Sequence, residues 1–297
     1  MFKKCVSVLC VALIAAASFV LPVHAQEGSV SVSAQAAVVI NADNGQVLYA
    51  KNAENQQAMA STTKIMTALL TLEEAAKENK IVTISEQVAA VEGSSMYLNA
   101  GDRLSLKDLA IGMLTVSGND AAYGAAVAIG GSEEEFAKLM NARAKELGME
   151  HTNFVTASGL DADEHYSTAL DMAKLGAAAI QNEDFLAICS KTQSTATFVN
   201  PPRTQSYSNH NKLLKLYQGC IGIKTGFTKK AGRCLVSAAE RDGVRLVAVT
   251  LNAPDDWNDH INYSTMVFSL SSIRMDESTQ PLRSMVGGAR TKRSNRQ

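Results

Sequence analysis

The predicted β-strands of this chain lie near its two ends, and a long helical region separates them. Residues 37–40 and 46–49 flank the pair Asn44-Gly45, which is typical of the turn in a β-hairpin. Three further strand segments come much later, at residues 220–225, 235–238 and 244–249, the last two joined by an Asp-Gly pair. This order predicts an α+β fold, in which the two ends build one antiparallel sheet flanked by helices and the helical region is inserted beside it.

Apolar side chains recur at helical spacing in the middle of the chain. Four helix starts are predicted, at Ser61, Ser105, Ser132 and Thr168. Ser105 is followed three residues later by Asp108, a variant of the capping box that satisfies free backbone N–H groups at a helix start. Gly148 predicts the end of the third helix, because glycine accepts the left-handed conformation found there.

The N-terminus predicts a secretory signal peptide covering residues 1–25. Two lysines are followed by an apolar stretch at residues 6–20 and by small residues before a cleavage site after Ala25. An uncleaved anchor is the alternative, but the stretch is too short to span a bilayer comfortably. Residues 26–35 are small and polar and predict a flexible lead-in. The mature protein is therefore expected to be exported, and to act in the cell envelope or be secreted.

The charge balance and the histidines exclude some classes of protein. Removing residues 1–25 takes out two lysines and changes the formal net charge from −1 to −3. A chain so close to neutrality is not expected to be a dedicated nucleic-acid binder. The five histidines lack the spacing of a metal site, and we expect none.

Three cysteines remain after the predicted signal peptide: Cys189, Cys220 and Cys234. An odd number excludes a fully paired disulfide framework, although one bridge is compatible with it. Cys220 and Cys234 lie on predicted neighbouring strands. They either form a disulfide or pack as small buried thiols, and we favour the thiols.

The composition changes at Arg274. From there to the C-terminus six basic residues face two acidic ones, with few apolar side chains among them. We predict a main domain over residues 36–273 and a basic, disordered tail over residues 274–297. Peripheral contact between this tail and an anionic envelope polymer is a hypothesis that rests on the charge.

The first motif with chemical content is Ser61-Thr62-Thr63-Lys64 at a predicted helix start. Three residues make nearly one helical turn, so the side chains of Ser61 and Lys64 can touch. A serine hydroxyl becomes a good nucleophile when a neighbouring base takes its proton. Lysine can be that base when burial or a second cation lowers its pKa. On its own, the motif is also compatible with a capping serine and a solvated lysine.

The second motif, Ser117-Gly118-Asn119, falls in a short connection between two apolar segments. Such a loop can present a hydroxyl and an amide at a position set by rigid neighbours. We expect Ser117 to pass protons between Lys64 and a leaving amine, and Asn119 to bind a substrate amide. Alone, the tripeptide is compatible with an ordinary turn.

The third motif, Lys224-Thr225-Gly226, is predicted at the end of a strand. Lys224 and Thr225 can bind a carboxylate through a charge and a hydroxyl, and Gly226 lets a substrate backbone come close. The N–H groups of Phe227 and Ser61 are candidates for an oxyanion hole. By itself this motif is compatible with an ordinary strand terminus.

In this order the three motifs are the signature of penicillin-binding proteins and class A β-lactamases. The chain resembles the low-molecular-mass penicillin-binding proteins, the serine D-Ala-D-Ala carboxypeptidase family, from about residue 37 to about residue 260. The similar stretches are residues 60–67, 115–122, 157–161, 165–168, 209–211 and 222–228. Many members also carry a β-rich second domain and an amphipathic anchor. Neither pattern is visible after Arg274, which leaves membrane attachment open.

The resemblance implies an activity and a set of roles. The substrate would be a peptidoglycan stem peptide ending in D-Ala-D-Ala, and β-lactam antibiotics would bind covalently as inhibitors. Ser61 would be acylated with Lys64 as general base, Ser117 and Asn119 would form the second wall, and Lys224 with Thr225 would hold the terminal carboxylate. No metal or organic cofactor is expected. For His165 and His210 we expect structural roles.

Three other functions remain open on this fold: a β-lactamase, a non-catalytic wall-binding protein, and a transpeptidase or endopeptidase that acts on cross-links. A class A β-lactamase needs a glutamate with an asparagine partner between the second and third motifs. Glu164 lies in that interval, but no asparagine follows it closely. A non-catalytic wall-binding protein is the second alternative, although an activated serine has no use in it.

Overall fold

The computed structural model describes residues 31–279. Its larger sheet has five antiparallel strands in the order β2-β1-β9-β8-β7. The strands are β1 (Ala36–Asn41), β2 (Val47–Lys51), β7 (Cys220–Thr228), β8 (Gly232–Arg241) and β9 (Val244–Leu251). The central contact joins the two ends of the chain, because β1 pairs with β9 and Ala36 lies opposite Leu251. The predicted α+β fold is confirmed.

The turns within this sheet differ from each other. Between β8 and β9, Asp242 and Gly243 both have positive φ, as the predicted two-residue turn requires. Between β1 and β2 the connection is longer, and it is Gly45 that has the positive φ, with its N–H donating to the Asn41 carbonyl. The first hairpin is therefore confirmed, but not as a tight two-residue turn.

Most of the helices lie between β2 and β7, and one long helix follows β9. They are a 3₁₀ turn at Ala60–Thr63, α1 (Lys64–Lys77), α2 (Glu86–Ala89), α3 (Leu106–Thr115), α4 (Asn119–Gly130), α5 (Glu133–Glu146), α6 (Ala169–Ala179), α7 (Glu183–Cys189), α8 (Leu213–Leu216) and α9 (Asp256–Thr279). The predicted caps are present: Ser105 and Asp108 form a capping box, and Ser132 and Thr168 accept backbone N–H groups at their helix starts.

A second, four-stranded sheet was not predicted. Its antiparallel order is β3-β4-β5-β6, with β3 (Ile81–Thr83), β4 (Arg103–Ser105), β5 (Gln193–Asn200) and β6 (Arg203–Ser208). Two of these strands have three residues each, and β5 and β6 carry many exposed polar side chains. Short polar strands lack the alternating apolar pattern that reveals a half-buried sheet.

The five-stranded sheet is covered on both faces. Val38 and Ile40 of β1 belong to the larger core, which the sheet shares with α1, α3 and α6. Ala37 and Val39, which point to the other face, belong to a smaller core that includes Tyr263 of α9. The helical region on the first face carries the 3₁₀ turn with Ser61, so the motif residues lie where helices and strand β7 meet.

Both predicted domain boundaries need correction where the structure describes them. Residues 31–35 are packed rather than flexible, because Ser33 bonds to the carboxylate of Asp259 and Ala34 is fully buried. Helix α9 continues to Thr279, into the segment predicted as a disordered tail. Residues 1–30, with the predicted signal peptide, and residues 280–297 lie outside the described part.

Cys189, Cys220 and Cys234 are all free thiols. Cys234 lies opposite Gly226 and Cys220 opposite Ala239, so the two strand cysteines are not cross-strand neighbours. Between residues 31 and 279, no helix is both long and apolar enough to cross a bilayer.

Candidate active site

The 3₁₀ turn places Ser61 beside Lys64. Thr62 fixes the turn, because its hydroxyl donates to the Met59 carbonyl at 2.6 Å. Lys64 then begins α1, and its Nζ lies 2.9 Å from Ser61 Oγ. The two side chains that the first motif predicted to touch are in hydrogen-bond contact.

The amine of Lys64 has two further partners. Its Nζ lies 2.7 Å from Asn119 Oδ1 and 2.6 Å from the carbonyl oxygen of Ser158, and neither oxygen can donate. The orientation of the Asn119 amide is fixed by its Nδ2, which donates to the Glu92 carbonyl at 2.7 Å. A neutral amine has two N–H groups and one lone pair. When the amine is neutral and its two N–H groups donate to these carbonyl oxygens, the lone pair is left to accept the hydroxyl proton of Ser61.

Burial is the main cause of the lowered pKa of Lys64. The side chain is fully buried, which lowers its pKa well below the ordinary value of 10.5. The nearby cation of Lys224 lowers the pKa further, and the Asp120 carboxylate partly opposes both effects. The Asp120 carboxylate is itself occupied, since it accepts from Ser95 Oγ and from the backbone N–H groups of Met96 and Leu98.

The second motif forms the wall opposite the 3₁₀ turn. Ser117 has a φ of 62° in the connection between α3 and α4, and it lines the cleft. Within the described chain, its hydroxyl has no hydrogen-bond partner, so it can turn toward a ligand. Asn119 differs from the expectation: it is 3% exposed, and its amide holds Lys64 and Glu92. A direct contact of Asn119 with substrate stays a prediction.

The third motif lies within a strand rather than at its end, because β7 continues to Thr228. Lys224 is 1% exposed, and its Nζ donates to the carbonyl of Thr225 at 2.7 Å. Burial lowers the pKa of Lys224 to about 7. Its role as a direct carboxylate ligand therefore stays a prediction, whereas Thr225 does line the cleft.

Gly226 is needed for close packing against Ser61. A Cβ at this position would lie 3.0 Å from the backbone nitrogen of Ser61 and 3.2 Å from the Cβ of Ala60. The glycine thus lets β7 approach the 3₁₀ turn, a reason different from the predicted approach of a substrate backbone. Phe227 follows with 65% exposure and lines the cleft beside Ser61, as an oxyanion hole built from their N–H groups requires.

The motif residues open onto a cleft of about 270 Å³. It is lined by Ser61, Ser94, Ser117, His210, Thr225, Gly226, Phe227, Arg233, Asp256 and Trp257. Sequence reasoning missed Ser94, Arg233, Asp256 and Trp257 as site residues, since none of them belongs to a motif. His210 was expected to be structural, but it lines the cleft, and burial and the Lys224 cation lower its pKa. The similarity of residues 209–211 to the carboxypeptidase family was the sequence feature that could have indicated a position in the cleft.

The loop that carries the Ser158 carbonyl is held from several sides. The Glu133 carboxylate accepts the backbone N–H of Ala157 at 2.9 Å. Gly159 packs so closely that a Cβ there would lie 2.0 Å from the Ala60 carbonyl oxygen. His165 Nε2 lies 2.9 Å from Thr63 Oγ1, and its Nδ1 accepts from Val155, which fits the expected structural role. Burial lowers the pKa of His165 to about 4.

The sequence of this chain matches a known protein family over most of its length. The model of the family described as D-alanyl-D-alanine carboxypeptidase matches residues 23–255. The chain belongs to this family. The resemblance predicted from the three motifs is thereby confirmed, and so is the fold that the carboxypeptidase family implies.

Two curated members of the D-alanyl-D-alanine carboxypeptidase family illustrate the relationship. DacF of Bacillus subtilis is 40% identical over 230 residues, which cover 74% of this chain and 57% of DacF. DacC of Escherichia coli is 39% identical over 240 residues, which cover 76% of this chain and 58% of DacC. The chain therefore spans less than two thirds of the length of these relatives.

Solved structures agree with the family fold. A serine-to-alanine mutant of a Streptomyces DD-transpeptidase superposes with a TM-score of 0.77 at 29% identity, covering 81% of this chain and 99% of that one. The D-alanyl-D-alanine carboxypeptidase DacD of Francisella tularensis gives a TM-score of 0.73 at 29% identity, covering 81% and 70%.

Proposed function

We propose that this chain is a serine D-Ala-D-Ala carboxypeptidase that removes the terminal D-alanine from peptidoglycan stem pentapeptides through an acyl-enzyme. The observation that supports it most is the buried Lys64 amine, whose Nζ lies 2.9 Å from Ser61 Oγ. A lysine buried without a salt-bridge partner is costly to keep charged, and an adjacent serine gives its neutral amine a chemical use. Family membership supplies the substrate class.

In the acylation step, Lys64 takes the hydroxyl proton while Ser61 Oγ attacks the carbonyl between the two D-alanines. The N–H groups of Ser61 and Phe227 stabilise the oxyanion, and each such donor is worth roughly 10²–10³ in rate. The proton passes from Lys64 through Ser117 to the departing amine. The carbon–nitrogen bond breaks, and D-alanine leaves.

In the deacylation step, Lys64 takes a proton from water, whose oxygen attacks the acyl carbon of the Ser61 ester. The bond between that carbon and Ser61 Oγ breaks, Lys64 returns the proton to Oγ, and the shortened peptide leaves. A β-lactam acylates the same oxygen. Its leaving nitrogen stays tethered to the acyl group, so the adduct blocks the approach of water. We therefore expect β-lactams to act as covalent inhibitors and not as rapidly hydrolysed substrates.

The structure offers no support for the β-lactamase alternative. Glu164, the glutamate in the appropriate interval, is exposed and is absent from the cleft lining of the described chain. Its backbone carbonyl accepts from Asn153 Nδ2, and its φ of 59° places it in a surface turn. A non-catalytic wall-binding protein, the second alternative, leaves the buried Lys64 without a purpose.

The same proposal includes the place of action. Peptidoglycan lies outside the cytoplasmic membrane, and the pattern in residues 1–25 supports export by a signal peptide.

Contact between the basic tail, residues 274–297, and an anionic envelope polymer is supported by charge alone. Deletion of residues 280–297, which spares α9, should weaken retention on isolated cell walls at low salt. If the deletion variant and the full chain were retained equally, this hypothesis would be contradicted.

The test of the activity uses Ser61→Ala and the exposed-serine control Ser206→Ala. Wild type and control should release D-alanine from a pentapeptide and should gain the mass of benzylpenicillin in intact mass spectrometry. Ser61→Ala should do neither. Covalent labelling that survives in Ser61→Ala, or wild-type protein that releases no D-alanine, would overturn the proposal.

A further inference from the structure

One end of the cleft is formed by an arginine held in a fixed position. Arg233, at the start of β8, lies opposite Phe227 of β7. Its Nε and Nη2 donate to one oxygen of Asp256 at 2.9 and 2.7 Å, and its guanidinium lies 5.6 Å from the ring centroid of Trp257. Asp256 is 2% exposed, whereas the Arg233 side chain is 40% exposed.

The Arg233 guanidinium, which lines the cleft, retains unused N–H donors. Arginine has five N–H groups in a planar fork, and Asp256 engages two of them. In the described chain Nη1 has no hydrogen-bond partner. The Asp256 carboxylate is neutralised by this contact and by the Trp257 backbone N–H, which donates to the same oxygen at 2.9 Å. Arg233 and Asp256 both line the cleft as an ion pair, and Nη1 of the arginine is left free to donate to an anion there.

The other cationic side chain near the cleft is less accessible. Among residues 31–279, Arg233 is the one arginine or lysine that lines the cleft. Lys224 is 1% exposed, and its amine is hydrogen-bonded to the Thr225 carbonyl. His210 lines the cleft, but burial and Lys224 lower its pKa, which favours the neutral ring.

We propose that Arg233 binds the terminal carboxylate of the ligand, with Asp256 as the residue that positions its guanidinium. The inference rests on the proposed function, since it supplies the carboxylate recognition of that site. A planar fork matches a carboxylate with two parallel hydrogen bonds, and anchoring one edge reduces the entropy lost on binding. The Thr225 hydroxyl, in the same cleft, supplies a further donor.

The test compares acylation by benzylpenicillin with acylation by its methyl ester, which lacks the charge. Second-order rate constants are measured on the full chain by intact mass spectrometry. Arg233→Gln should lower the rate for the free acid about 10- to 100-fold, the effect of losing a hydrogen bond to a charged group. The rate for the ester should stay unchanged. If Arg233 had a merely structural role, the substitution would slow acylation by both compounds. Arg233→Lys should restore part of the preference.

Arg245→Gln is the matched control. Arg245 on β9 also bonds an aspartate, Asp43, through Nε and Nη2, at a place outside the cleft. The Arg245→Gln variant should keep the wild-type preference for the free acid over the methyl ester. The proposal fails if Arg233→Gln retains that preference, if it slows both compounds equally, or if Lys224→Met alone removes the preference. Acylation is measured independently of D-alanine release, so a wild type that releases no D-alanine defeats the proposed function without deciding this one.

Discussion

Replacing Lys224 with methionine should stabilise the folded protein at neutral and mildly acidic pH. The side chain is 1% exposed, and burial lowers its pKa from 10.5 to about 7. At about 1.4 kcal/mol per pKa unit, this difference corresponds to about 5 kcal/mol of unfavourable burial of the charged form. The variant gains less than this amount, because it loses a hydrogen bond to Thr225 worth about 1 kcal/mol. Methionine fills a similar volume without a charge.

The sign of the pH dependence follows from the same pKa. Because the folded-state pKa of Lys224 is below the unfolded value, the unfolded chain binds more protons between pH 7 and 10.5. Wild-type stability therefore rises with pH across this window, and the methionine variant lacks that contribution. The advantage of the variant is greatest below pH 7 and should fall by about half by about pH 9.

The measurement is urea unfolding at about pH 6 and about pH 9, followed by the fluorescence of Trp257, the single tryptophan. Lys229→Met is the control, because Lys229 is exposed just after β7 and its replacement should change neither the free energy of unfolding nor its slope with pH. A Lys224→Met variant that is less stable than wild type at both pH values, or whose advantage is independent of pH, would refute the reasoning.

Two further predictions concern Lys64 and His260. Lys64→Arg should form no penicillin adduct at any pH that the fold tolerates, because a guanidinium keeps its proton; an adduct in the intact mass spectrum would contradict a base role for Lys64. His260 is buried between Ser237 and Thr250, and burial lowers its pKa from 6.5 to about 3. The unfolded chain binds the extra proton between these values, so stability falls as pH drops below 6.5. His260→Gln should lose less melting temperature between about pH 7 and about pH 4 than wild type, and equal losses would count against it.

The sequence predicted those parts of the fold that depend on local interactions. The caps at Ser105, Ser132 and Thr168 and the turn at Asp242-Gly243 are decided by neighbouring residues, and all four are present. The four-stranded sheet depends on contacts between distant segments. Strand β4 is only three residues long and pairs with β5 far along the chain, so no local pattern marks it.

The candidate site likewise combines features that a local sequence pattern predicts with features that depend on distant contacts. Ser61 and Lys64 were predictable because their chemistry demands two residue types at helical spacing, and the contact exists. The carbonyl oxygen of Ser158 is equally important to Lys64, but a backbone carbonyl has no sequence signature. Arg233 was missed for another reason: its neighbours in the cleft are set by the register of β7 and β8 and by the start of α9.

The pairing of β1 with β9 affects how the chain is assembled during synthesis. A growing polypeptide can form the β1–β2 hairpin and the helices early, because these elements use neighbouring residues. An isolated two-stranded hairpin is only marginally stable, and the strand that completes its other edge is synthesised much later. Until β9 emerges, one edge of β1 stays open to pairing with other chains. The central strand of this sheet, β9, is therefore synthesised after the other four strands.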